Sequence, residues 1–140
     1  MDGRQYLVEY QKILKRLEYF NDQLTEIRSR TDLHSAALTG LPTGKGSDTT
    51  EIVTATMVKS EVVETTLKKL VAKSKELLVE IYSRFAVMDN PKEIEALQLI
   101  YLDGLTMEQA AEQMNFSIRQ FSRFKQSGLK HFDDLENLTN

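Results

Sequence analysis

The stretch LTMEQAAEQMNFSIRQFSRFK, residues 105–125, decides how the chain is read. It fits two short helices joined by a tight turn, the second rich in cations and free of acids. Thr106 stands where a first helix needs its cap, and Met107, Ala110, Ala111 and Met114 give that helix an apolar side. Asn115 supplies the left-handed turn residue that usually falls to Gly or Asn, and Phe116 plugs the corner. Ser117 then caps a second helix whose Ile118, Phe121 and Phe124 point inward, while Arg119, Gln120, Ser122 and Arg123 point outward. This is the layout of a helix-turn-helix with its recognition helix second. It makes double-stranded DNA the first partner to consider.

Composition bounds the rest. The 140 residues include six Gly, two Pro and no Trp, and β-branched residues never alternate with polar ones over a long run. An all-α protein is expected. With no Cys, disulfides, iron–sulfur clusters and thiolate zinc sites are excluded. No apolar run approaches the roughly 18 residues of a spanning helix, and residues 1–9 lack a signal-peptide core. The expected location is therefore the cytoplasm, with no membrane partner. A net charge of −3 says little for nucleic acid, but its distribution says more. Residues 117–132 hold Arg119, Arg123, Lys125 and Lys130 and no acid. Acidic residues outweigh the single Lys92 over 92–116, and Asp133, Asp134 and Glu136 follow.

Upstream of this region the chain is an arm. Over residues 3–36, Tyr6, Tyr10, Ile13, Leu17, Phe20, Leu24 and Ile27 alternate spacings of four and three, the seam of a coiled coil, which Leu7 and Leu14 broaden. The stripe becomes polar after Ile27, and the helix is expected to weaken over 28–32. Residues 39–50, TGLPTGKGSDTT, read as a flexible connector, with Asp48 or Thr49 capping the next helix. The segment is not a phosphate-binding loop. Three residues separate Gly40 from Gly44, Gly46 stands where Ser or Thr should follow Lys45, and no strand leads in. A second long helix is expected over 51–87. Val63, Leu67, Leu70, Leu77 and Ile81 form its seam, Ser74 is a polar break, and Val71, Leu78 and Phe85 widen the stripe. Two such helices fold back as a long antiparallel hairpin, or pair across a homodimer with the same heptads.

Asp89-Asn90-Pro91 punctuates the chain, with Asn90 as cap and Pro91 at the first helical position. Ile94, Leu97, Leu99, Ile100 and Tyr101 then form a supporting helix that ends at Asp103-Gly104, and Phe132 and Leu135 extend its core. The domains expected are 1–88, a helical hairpin for dimerisation or partner binding, and 89–140, a three-helix DNA-binding module.

No enzyme is expected. His34 and His131 stand apart from any Cys or any acidic pair at ligand spacing, so neither metal nor general base is read there. Acids interleave with Lys and Arg as on solvated helix faces, and no nucleophile has a base. No cofactor is implied. The candidate DNA-binding residues are Ser117, Arg119, Gln120, Ser122, Arg123, Gln126 and Lys130. Arg119 and Arg123 lie one turn apart, where Arg can grip guanine and Gln120 can grip adenine. Gln126 and Lys130 lie further along, placed for phosphate.

Residues 95–132 resemble the sigma-factor region-four type of helix-turn-helix, which reads the −35 promoter element. The match is carried by Leu99-Ile100-Tyr101-Leu102-Asp103-Gly104-Leu105-Thr106, Ala110-Ala111, Met114, Ser117, Phe121 and Leu129. Two departures stand out. Gln109-Ala110-Ala111 replaces the usual acid-Ile-Ala, and Gly128 occupies a position commonly Ala, at a helix cost of about 0.5–1 kcal/mol. The whole chain is similar to small regulators of phages and prophages of Gram-positive bacteria, the ArpU and RinA type. These join an N-terminal helix, a linker like Leu41-Pro42-Thr43-Gly44-Lys45-Gly46-Ser47-Asp48, a second long helix and a sigma-like C-terminal module. The resemblance implies a sequence-specific DNA-binding transcriptional regulator, with late-gene activation as the expected direction and RNA polymerase as a further partner. It does not imply a true sigma factor, since nothing resembles the −10-reading, core-binding region. Two alternatives remain open on sequence: a small terminase-like DNA-packaging protein, and a protein-binding adaptor or inhibitor on the same helical fold.

Overall fold

In a computed structural model the protein is described over residues 2–40 and 46–135, with side chains described over 2–30 and 54–135. It is all-helical, and no strand occurs among the described residues. In chain order the elements are α1 (Gly3–Gly40), α2 (Gly46–Val87), α3 (Pro91–Leu97), α4 (Met107–Gln113) and α5 (Ile118–Asp133). A π-helical turn, Gln98–Leu102, follows α3 directly. Both long helices reach further than their sequence signals. α1 continues unbroken through 28–32 to Gly40, and α2 starts at Gly46, so Asp48 and Thr49 lie inside it rather than capping it. Extending an existing helix is far easier than nucleating one, which lets it run through locally weak sequence. The centre of the expected connector, residues 41–45, lies outside the described residues.

The chain divides into two compact units, residues 2–14 with 73–135, and Lys15–Ala72. These units run across residue 88 rather than meeting there. In the second unit, Leu24 and Leu70 are buried and Arg28 meets Glu64 at 3.0 Å across α1 and α2. Val71 does not widen the apolar stripe as its sequence suggested: it is 40% exposed, while Leu70 beside it turns inward. Adjacent residues on a helix lie about 100° apart, so one stripe seldom holds both.

The first unit contains the larger core. Leu7, Ile81, Leu97, Phe121 and Phe132 are wholly buried. α3 begins as its sequence predicts, with Asn90 Oδ1 accepting from the Lys92 amide at 3.0 Å and Pro91 following. The π turn was not foreseen. Asp103 N donates to Gln98 O at 2.9 Å, a five-residue step, and the wider turn brings Leu99, Ile100 and Tyr101 all into the core. The Ile100 carbonyl finds a donor in Gln11 Nε2 of α1 at 3.1 Å. Gly104, at φ +71°, then reverses the chain in the left-handed region that glycine enters freely.

Gly128 has a packing role. A Cβ there would stand 3.2 Å from the Cβ and carbonyl oxygen of Glu93 and 3.3 Å from Leu97 Cγ. Its absence lets α5 lie close against α3. The poor helix former is thus a spacer between two backbones.

A buried ion pair within α2 is tied to the end of α5 through its arginine. Arg84 Nε lies 3.1 Å from Glu80 Oε1, both side chains almost fully excluded from solvent. Arg84 Nη1 donates to the carbonyls of Phe132 at 2.6 Å and Leu135 at 2.9 Å. The guanidinium also stacks near the rings of Tyr6 and Phe132, at 5.3 and 5.2 Å. A cation meeting the last carbonyls of a helix complements its dipole. Gly3 leaves room for this arrangement, since a Cβ there would come within 2.7 Å of both Arg84 Nη1 and the Phe132 oxygen.

Candidate nucleic-acid interface

α4 and α5 are set by three local devices. Thr106 Oγ1 accepts from the Gln109 amide at 3.2 Å, and Gln109 Oε1 accepts from the Thr106 amide at 3.0 Å, a reciprocal capping box. Gln109 is therefore the partner of the cap. Asn115 adopts φ +59°, and the amide of Phe116 returns to the Ala111 carbonyl at 2.9 Å, closing the end of α4. Ser117 Oγ accepts from the Gln120 amide at 3.1 Å and starts α5. Phe116 stacks on Phe124 with ring centroids 5.2 Å apart, filling the corner between the helices.

The candidate residues fall on α5 as follows. Arg119, Gln120, Arg123, Gln126 and Lys130 are exposed, Ser122 is half-buried, and Ser117 is exposed with its oxygen engaged as cap. Arg119, Arg123, Gln126 and Lys130 succeed one another by four, three and four residues, which keeps them on one helix face. None of the three cations forms an ion pair among the described residues, and the first turn of α5 holds no acid. Two acids of α3 and α5 are occupied elsewhere. Asp133 pairs with Arg4 at 3.0 Å. Glu93, buried between α3 and α5, accepts from Ser127 Oγ at 2.5 Å and lies 2.7 Å from His131 Nδ1.

Sequence reading missed three features here. Ile118 does not point inward; it is 51% exposed, because it sits in the first turn of α5 at the edge of the face that Phe121, Gly128 and Phe132 bury. Lys92 Nζ lies 5.4 and 5.8 Å from the rings of Phe116 and Phe124, and Lys125 Nζ lies 5.9 Å from that of Tyr101. These cation–ring contacts join residues on different elements, and nothing in local spacing announces them. The same holds for His131 and Glu93, 38 residues apart in sequence.

Among the described residues no group of His, Cys, Asp or Glu is placed to hold a metal ion, and no helix is long and apolar enough to cross a membrane. Burial, with smaller contributions from Tyr82 and Asp103, raises the Tyr10 hydroxyl above the ordinary phenol value. Burial raises Tyr101 as well, with Arg4 opposing and Asp133 adding. Both stay protonated near neutrality and offer no base. A cleft of ≈ 1040 Å³ beside the start of α1 is lined by side chains of both signs, including Arg4, Glu9, Lys73 and Glu76. No family model, curated protein or solved structure matches the chain.

Proposed function

We propose that the chain is a phage-type, sequence-specific DNA-binding transcriptional regulator. In this reading α4 and α5 form the helix-turn-helix, α3 supports it, and α5 enters the major groove. The supporting observation is the stripe Arg119, Arg123, Gln126 and Lys130: exposed, on one face, with cations that no carboxylate neutralises among the described residues. Arg119, Gln120, Ser122 and Arg123, early in α5, are the base readers, and Gln126 and Lys130 meet phosphate. Ser117 opens the helix whose positive end also favours a phosphate. The long helices act as a hairpin arm for a second copy or RNA polymerase, an assignment supported by the Arg28–Glu64 pair between α1 and α2. Activation of late genes follows from the family resemblance.

Selection from a pool of random duplexes of about 30 base pairs tests this reading. One sequence class should be enriched, and its affinity should fall by close to one logarithmic unit per phosphate neutralised for each roughly tenfold rise in salt. Failure to retain any duplex at low salt would overturn the reading in favour of a protein-binding adaptor. A ring-shaped oligomer would favour a packaging role.

A further inference from the structure

Ile118 is the second independent feature of α5 that faces solvent without a structural reason. It occupies the first helical position, between the Ser117 cap and Arg119, and is 51% exposed. It does not belong to the core face of α5, which Phe121, Gly128, Leu129 and Phe132 form. Nor does it serve the helix, since a β-branched residue is a poorer helix former than Ala, Gln or Lys at a solvated position. What it does provide is a stiff apolar surface. A β-branched side chain in a helix keeps essentially one χ1 rotamer, so little freedom is lost when that surface meets a partner. Ser122 follows it by four residues, which puts the two on the same side of the stripe that begins with Arg119.

In the major groove, one base edge alone offers an apolar group, the C5-methyl of thymine. We infer that Ile118 is a specificity-determining residue that packs against a thymine methyl beside the base contacted by Arg119. The inference rests on the assignment of α5 as the reading helix and adds the base that its first turn selects. Arg and Gln side chains read hydrogen-bonding edges, whereas Ile118 reads the presence of a methyl group. The preference it confers is thymine over uracil at one position, as well as thymine over cytosine.

The test uses the full chain and the best duplex recovered from the random pool. Each thymine of that duplex is replaced in turn by deoxyuridine, which keeps every hydrogen bond and removes only the methyl. The wild-type protein should lose about fourfold in affinity at one position, the factor expected from burying one methyl group. Ile118→Ala should bind the thymine and uracil versions equally, with unchanged helix content by circular dichroism. The inference is overturned if no single replacement weakens the wild-type protein, or if Ile118→Ala keeps the same penalty. In that event Arg119→Ala still reports separately on α5 as the reader, since it should weaken every version of the duplex. Recovery of no duplex overturns both assignments together.

Discussion

Arg84 of α2 donates to the Phe132 carbonyl of α5 at 2.6 Å, in a bond fully buried from solvent. The same guanidinium holds Glu80 at 3.1 Å. One side chain therefore joins a long helix to the end of the helix that carries the cationic stripe.

Removal of Arg84 alone should be severe. Arg84→Met leaves the Glu80 carboxylate buried and two carbonyls unmet, and breaking such a pair costs about 3–5 kcal/mol. For a chain of this size the melting temperature should fall by roughly 10 °C or more. Adding Glu80→Gln should recover part of the loss, because the buried negative charge that Arg84 balanced is then gone. Thermal unfolding by circular dichroism of the two variants decides the matter.

Gly128→Ala should not stabilise the protein, although Ala is the better helix former by about 1 kcal/mol. The new methyl meets the Glu93 backbone at 3.2 Å, and overpacking of this kind costs about 1–3 kcal/mol. A net loss of about 1 kcal/mol is expected in urea denaturation. A gain would show that α3 and α5 can separate freely.

Thr106→Ala removes one half of the capping box of a helix only seven residues long. A loss of about 1 kcal/mol is expected, and Thr106→Ser should restore most of it. Equal denaturation midpoints for the three proteins would mean that the cap is inert.

Alkaline pH gives another check. Tyr10 and Tyr101 have their hydroxyls raised above the ordinary phenol value of 10.0, chiefly by burial. A raised acid contributes stability that is complete below the unfolded value and is lost as pH rises through the folded one. Stability should therefore fall as pH climbs past 10.0, and fall less in a Tyr10→Phe, Tyr101→Phe double variant. Parallel declines in the two proteins between about pH 9 and pH 11, followed by urea denaturation, would contradict this linkage.

What could be read from sequence was local. The caps at Asn90, Thr106 and Ser117 and the left-handed Asn115 each depend on neighbours within a few residues, and the structure places them as expected. Features that depend on meeting another element were not legible. Arg84 and Glu80 sit in an ordinary i,i+4 pattern, and only packing against α1 and α5 buries them. Nothing local to Gly3 shows that its missing side chain leaves room for the Arg84 guanidinium. Ile118 shares an apolar rhythm with Phe121, yet it lies at the edge of the face that α5 buries and stays half exposed. Of the candidate interface, the exposed positions on α5 were legible, while the pairing of Asp133 with Arg4 and of Glu93 with Ser127 and His131 was not.

The most direct measurement is a fluorescence anisotropy titration of the selected duplex with the wild-type chain and an Arg119→Ala, Arg123→Ala double variant. Each bidentate arginine contact contributes about 1–3 kcal/mol of discrimination, so the variant should bind at least about thirtyfold more weakly while remaining folded. Superimposable isotherms for the two folded proteins would contradict the assignment of α5 as the reading helix.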